Sequence, residues 1–138
     1  MKNVLFVCTG NSCRSQMAEA LVNEHLHGEW TAFSAGIAPE GYVHPMAIEA
    51  LRELGIIHNG RSKHVEVFDG IRFDVVITLC DNANSACPAY VGNGAQRVHM
   101  PFRDPFPTRD PQAYRAVRDD INAKVIPYLR GFGSAPAA

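Results

Sequence analysis

Two rhythms of apolar and polar positions alternate along this chain. Residues 2–7 end in an unbroken apolar run, Val4-Leu5-Phe6-Val7, as expected of a strand buried on both faces. From Ser15 onward Met17, Ala18, Leu21, Val22 and His25/Leu26 recur at the 3.6-residue period of an amphipathic helix. Residues 30–34 read as a second strand, closed by Ala35-Gly36. Pro45 suits the first position of a second helix, whose expected stripe is Ala47, Ile48, Leu51 and Leu54, ending at Gly55. Residues 62–68 are ambiguous, with a short helix one option. Residues 74–80 form the clearest strand in the chain, and residues 97–100 a fourth. A last helix starts near Pro111 and sets Tyr114, Val117, Ile121, Val125 and Tyr128/Leu129 on one face, with Pro127 expected to kink or fray its final turn. The pattern describes one domain over residues 1–130, followed by a small-residue tail, 131–138, that is expected to be disordered.

Strands alternating with helices predict an α/β fold with a parallel sheet. In such sheets ligands bind beyond the carboxyl ends of the strands. Cys8, Cys80 and the loop holding Asp104-Pro105 each follow a predicted strand, so all three belong to that one edge. Composition narrows the function classes. A net charge of −1 argues against a nucleic-acid binder, and no apolar run reaches the ~20 residues of a membrane span. Residues 2–7 are too short for a signal-peptide core, which points to the cytoplasm. There the four cysteines are expected to be reduced, and a disulfide among them to be catalytic. Cys8 and Cys13 are five apart and Cys80 and Cys87 seven, so neither pair has zinc-site spacing, and no Walker A motif is present. No cofactor is expected, and a monomer is the simplest assembly.

The turn between first strand and first helix carries the candidate chemistry. It reads Cys8-Thr9-Gly10-Asn11-Ser12-Cys13-Arg14-Ser15. A strand-to-helix turn aims backbone N–H groups and a helix N-terminus at one point, which suits a tetrahedral oxyanion. Arg14 adds a planar fork that matches two oxyanion oxygens. The same positive field favours the Cys8 thiolate, the form that attacks. Cys13 reads instead as a packed structural thiol. Asp-Pro alone is ordinary turn chemistry, but Asp104 follows the fourth strand and is the candidate general acid. The six histidines are scattered, and His44 and His99 read as structural or solvent-facing.

Cys8-x5-Arg14-Ser15 on the first turn, with Asp104-Pro105 late in the chain, resembles the low-molecular-weight protein tyrosine phosphatase fold family. The run Cys8 to Glu19, Ser34-Ala35-Gly36-Ile37 and Thr78-Leu79-Cys80-x6-Cys87-Pro88 are similar to its thioredoxin-coupled arsenate reductase branch. The resemblance implies a three-layer sandwich around a four-stranded parallel sheet in order 2-1-3-4. It implies reduction of arsenate to arsenite, with phosphate and sulfate as competing oxyanions. By the same resemblance Cys8 attacks arsenic while Thr9, Gly10, Asn11, Ser12, Cys13, Arg14 and Ser15 hold the oxygens. Asp104 protonates the leaving oxygen, Ser15 stabilises the thiolate and Asn11 holds the loop's shape. Cys80 then resolves the adduct as a Cys8–Cys80 disulfide, and Cys87 moves the oxidation to Cys80–Cys87 for thioredoxin, or alternatively glutaredoxin or a small thiol, to reduce. Seven residues of straight helix span roughly 10.5 Å, beyond disulfide range, so residues 81–86 are expected to loop and to be mobile. Related reductases hold K+ through an Asn, a Glu, a Ser and an Asp. Here Asn11, Glu19 and Ser34 match, but Lys63 takes the Asp position, and no potassium dependence is expected.

Two other readings compete. A phosphatase acting on phosphotyrosine or a small phosphoester would use the same loop, but has no role for Cys80 and Cys87; weak phosphatase activity as a by-product is compatible with the reductase. A non-catalytic arsenite- or metal-binding module would use three thiols and leave Arg14 and Asp104 idle.

Overall fold

Four parallel strands in the order β2-β1-β3-β4 form the centre of the computed structural model, which describes residues 1–80 and 96–132. In chain order they are β1 (Lys2–Cys8), α1 (Arg14–His25), β2 (Trp30–Gly36), α2 (Pro45–Arg52), a 3₁₀ helix (Val65–Phe68), β3 (Val75–Thr78), β4 (Arg97–His99) and α3 (Pro111–Arg130). The expected turn over 81–86, Cys87 and residues 133–138 lie outside the described residues.

The central position of β1 explains its composition. It pairs with β2 from Lys2↔Trp30 to Cys8↔Gly36 and with β3 from Val4↔Val75 to Val7↔Thr78. Val4, Leu5, Phe6 and Val7 are all fully buried, so neither face needs a polar residue. Removing each such side chain from water contributes about 1.5–3 kcal/mol. At the start of the sheet Asp74 Oδ2 accepts from the Asn3 amide at 2.7 Å, and the Asp74 amide donates to Asn3 Oδ1 at 3.0 Å. This reciprocal clamp fixes the register that brings Val7 beside Thr78, and therefore sets where Cys8 and Cys80 emerge.

Alternation along β2 sorts the two faces of the sheet. Trp30 and Ala32 face the long helices: the Trp30 indole donates to Leu129 O at 3.2 Å, and Asn23 of α1 bonds both the N–H and the C=O of Ala32. Phe33 faces the other way, onto Phe68 of the 3₁₀ helix and Phe73, in edge-on ring contacts of 5.7 and 5.8 Å. The sheet is thus covered on both sides as a three-layer α/β fold.

The structure departs from the pattern in three places. In α2 the buried residues are Ala47, Ala50 and Leu51, while Ile48 and Leu54 are exposed. This helix meets α3 through a small-residue face, where Arg118 donates to Ala50 O at 2.8 Å and to Glu53 at 3.0 Å. A stripe of large residues is therefore the wrong guide there. Second, α3 continues past Pro127 to Arg130, so the helix does not fray at the proline. Third, β3 ends at Thr78, so Leu79 and Cys80 lie beyond the strand proper. No helix of the described residues is long and apolar enough to cross a membrane.

Candidate active site

Cys8 ends β1, and the chain turns over the carboxyl edge of the sheet before α1 begins at Arg14. Residues 36–44 lie alongside that turn and fix it. The carbonyls of Cys8, Thr9, Gly10 and Ser12 accept from the amides of Ile37 (3.1 Å), Ala38 (2.8 Å), Glu40 (2.9 Å) and His44 (3.1 Å). In a trans peptide the N–H points opposite the preceding C=O. Turning the Gly10 carbonyl outward therefore turns the following N–H, that of Asn11, inward. The Asn11 amide donates to Cys8 Sγ at 3.2 Å, as this geometry requires. Asn11 adopts φ 47°, a conformation that asparagine tolerates better than most residues. Gly36 permits the close seating, because a Cβ there would lie 2.7 Å from Thr9 O and 3.0 Å from the Asn11 amide nitrogen.

Hydrogen bonds converge on the thiol. Ser15 Oγ lies 2.8 Å from Cys8 Sγ and itself accepts from Asn11 Nδ2 at 2.7 Å. With that lone pair occupied, the Ser15 hydroxyl proton is available to the sulfur. Asn11 Oδ1 accepts from the Lys63 amide at 2.9 Å and from Gln16 Nε2 at 3.0 Å. Asn11, Ser15 and Gln16 are all fully buried, so these bonds form away from competing water.

Arg14 is 3% exposed and reaches across the site. Its Nη1 donates to Phe102 O at 3.1 Å and its Nη2 lies 3.5 Å from Asp104 Oδ2. Asp104 is held by a local turn in which its Oδ1 accepts from the Phe106 amide at 3.0 Å. Cys8, Thr9, Gly10, Ser12, Cys13, Arg14, Asp104, Glu40 and Phe106 line one small cleft of about 60 Å³. Pockets for drug-sized organic ligands are ~300–1,000 Å³, so this one fits an inorganic oxyanion better than a large organic group.

The remaining predicted cysteines differ sharply. Cys13 is 3% exposed, with Sγ 3.8 Å from the Tyr114 hydroxyl, and burial pushes its thiol up to about 12. It is a thiol, not a thiolate, at neutral pH. Cys80 is buried, and its sulfur lies 3.4 Å from Thr9 Oγ1 at the lip of the loop. Cys8 and Cys13 are free, whereas Cys80 is disulfide-bonded. His44 caps α2, accepting from the Met46 amide at 3.1 Å, and His99 Nδ1 lies 2.7 Å from the Thr78 hydroxyl.

The residues at the candidate cation site are committed elsewhere. Ser34 donates to Glu19 Oε1 at 2.8 Å, the Lys63 ammonium stands 4.0 Å from the same oxygen, and Asn11 Oδ1 already takes two donors. A fixed ammonium beside the one carboxylate does not fit a bound potassium ion. Among the described residues no group of three or more His, Cys, Asp or Glu side chains converges.

The sequence profile described as low molecular weight phosphotyrosine protein phosphatase matches residues 3–133. The chain belongs to that family. Within it, the chain is 42% identical over 125 residues to an arsenate reductase of Brevibacillus brevis, covering 90% of this chain and 91% of that protein. An arsenate reductase of Bacillus anthracis matches at the same identity and coverage. Among solved structures, one described as an arsenate reductase in the phosphate binding state superposes with a TM-score of 0.82 at 33% identity, covering 94% of this chain and 98% of that one. The arginine phosphatase YwlE of Geobacillus stearothermophilus shares the fold, with a TM-score of 0.73 at 22% identity, covering 97% and 94% of the two chains.

Pattern reading gave no role of their own to four residues that shape this family member's site, Gly36 and Gln16 having entered only inside longer motif runs. Gly36 and Gly60 matter through the space they leave, and Gln16 and His58 through buried hydrogen bonds. A glutamine inside the apolar face of α1 was the available signal, since a buried amide needs partners.

Proposed function

We propose that this chain reduces arsenate to arsenite. The observation that carries the reading is the buried Cys80 sulfur 3.4 Å from Thr9 Oγ1, which sets a second sulfur beside an oxyanion loop that already holds a nucleophile. Neighbouring parallel strands are about 4.8 Å apart, and disulfide Cα separations are usually ~4.4–6.8 Å, so a bond between Cys8 at the end of β1 and Cys80 just beyond β3 asks for only modest movement.

Arsenate enters the cleft against the loop N–H groups and takes the Arg14 guanidinium in competition with Asp104. The Cys8 thiolate attacks arsenic, and the leaving oxygen departs as water after Asp104 supplies a proton. The Cys80 thiolate then attacks the Cys8 sulfur. The sulfur–arsenic bond breaks with its electron pair moving to arsenic, so As(V) leaves as As(III) arsenite and the two sulfurs are oxidised to a Cys8–Cys80 disulfide. The Cys87 thiolate attacks Cys80, which frees Cys8 and leaves Cys80–Cys87. That bond is then reduced by thioredoxin, with glutaredoxin or a small thiol as the alternative donor, once the buried Cys80 sulfur becomes accessible to the partner's thiolate. A free Cys8 together with a disulfide-bonded Cys80 matches the state this sequence ends on. Phosphate and sulfate are competitive ligands of the same loop. The chain acts in the cytoplasm as a monomer, with weak phosphoester hydrolysis as a by-product.

Single turnover of the reduced protein with arsenate and no external reductant, followed by disulfide mapping, tests the scheme. One arsenite per chain and a Cys80–Cys87 bond are expected. Cys87→Ser halts at Cys8–Cys80. Rapid hydrolysis of a phosphoester with every thiol free at the end, and no arsenite formed, replaces the reading with a phosphatase.

A further inference from the structure

Residue 60 has no side chain, and its neighbours have taken the space. A Cβ on Gly60 would collide with His58 Nε2 and with Gln16 Oε1. Those two atoms lie 2.7 Å apart, and the His58 side chain is only 7% exposed. The direction of this bond follows from Gln16. Its Nε2 donates to Asn11 O at 3.2 Å, Asn11 Oδ1 at 3.0 Å and Arg61 O at 3.0 Å, so the amide oxygen faces His58. His58 Nε2 therefore carries a proton and donates it.

The chain of contacts leads to the reactive sulfur. His58 fixes which way the Gln16 amide points, and Gln16 holds both the backbone carbonyl and the side-chain oxygen of Asn11. Asn11 in turn donates its amide to Cys8 Sγ and its Nδ2 to Ser15, whose hydroxyl lies against the same sulfur. The charged groups facing the imidazole are Glu19 of α1, whose Oε2 is 4.0 Å from Nε2, and Lys63, whose ammonium is 4.0 Å from the other oxygen of Glu19. Burial and the Lys63 charge both hold the imidazole below its ordinary value, which favours the neutral form. A neutral Nε2–H form satisfies Gln16 without leaving a buried charge.

We propose that His58, seated in the space left by Gly60, is a positioning residue that orients the Gln16 amide and through it the Asn11 and Ser15 hydrogen bonds on Cys8. The inference rests on Cys8 being the reactive thiol of the proposed function, but it does not depend on arsenate being the substrate.

The test is the pH profile of Cys8 alkylation by iodoacetamide, resolved by mass, in the full-length chain. One neutral hydrogen bond corresponds to about a two- to tenfold effect, so His58→Ala should slow alkylation by that factor on the acid limb of the profile. Gly60→Ala should do the same by displacing the imidazole and the amide. Because both changes disturb one amide, the double variant should be no slower than the slower single variant. His58→Gln, which keeps an N–H donor, should retain at least about half of the wild-type rate, separating donor loss from general loosening. Unchanged profiles in both single variants, effects that multiply, or a His58→Gln protein as slow as His58→Ala each overturn the proposal. Wild-type arsenate turnover that fails while these profiles shift as expected would count against the proposed function alone.

Discussion

The two halves of the cleft are anchored in opposite ways. The half from Cys8 to Ser15 is tied to neighbouring segments by four amides of residues 37–44, by Ser62 Oγ on Gly10 O and by the Asn11 and Gln16 network. The half carrying Asp104 is held by its own turn, with Phe106 N–H on Asp104 Oδ1 and Thr108 on Pro105 O, by the Phe102 amide on Leu79 O, and by Arg14. Binding groups that must meet an oxyanion without rearranging gain from rigid support. An acid that must approach a leaving oxygen is aimed by the local turn that holds its carboxylate. Arg14 spans the division, bonding the Phe102 carbonyl while facing Asp104. A ligand that engages the guanidinium therefore acts on both halves at once.

Breaking this contrast from either side gives a graded set of outcomes. Cys8→Ser should lower arsenate reduction by at least ~10⁴-fold while phosphate binding, followed by calorimetry, persists, because the loop's amides are untouched. Asp104→Asn should reduce turnover by about 10²–10⁴-fold with a smaller change in KM, as expected of proton transfer late in the step. A comparable loss of phosphate affinity would show that the acid half also builds the binding site. Gly36→Ala forces a methyl against Thr9 O and should cost about 1–3 kcal/mol of stability in denaturant unfolding, with phosphate affinity falling in parallel. If stability drops but affinity holds, the rigid half tolerates more movement than its bonding suggests.

The smallest effect concerns pH. Burial depresses His58 and His44 below their ordinary values in the folded chain, so the unfolded chain binds more protons just below pH ~6.5. Stability should therefore decline as pH falls from about 6.5 through the folded values. Glu19, raised by burial, acts with the opposite sign, adding stability that is present below its ordinary value and lost as pH rises through its folded value. Comparing wild type with His58→Gln isolates the histidine share, which should shrink in the variant.

How far the chain could be read in advance follows from how local each feature is. The oxyanion turn, the four strands and their shared edge depend on neighbours in sequence, and they stand where periodicity and turn chemistry put them. Gln16, His58 and Gly60 act across more than 40 residues, and a glycine whose value is an empty space leaves no sign in its own identity. The α2 stripe misled for a related reason. Ile48 and Leu54 fit the period but are exposed, whereas Ala47, Ala50 and Leu51 are buried, with Arg118 of α3 bonded to Ala50 O. Periodicity shows that a face exists, and only the opposing surface decides which residues belong to it.

Trp30 gives the molecule a convenient optical property. It is the chain's single tryptophan and opens β2, beside Lys2 of β1, whereas Cys8 ends β1 six residues on, about 20 Å away. Its indole is clasped by Leu129 O and lies edge-on to Phe132 at 5.3 Å, so it joins the last turn of α3 to the first residue of the strand. Intrinsic fluorescence therefore watches the end of the sheet remote from the thiols. It can report whether a variant is folded while the chemistry at the other end is measured separately, without an added dye or label.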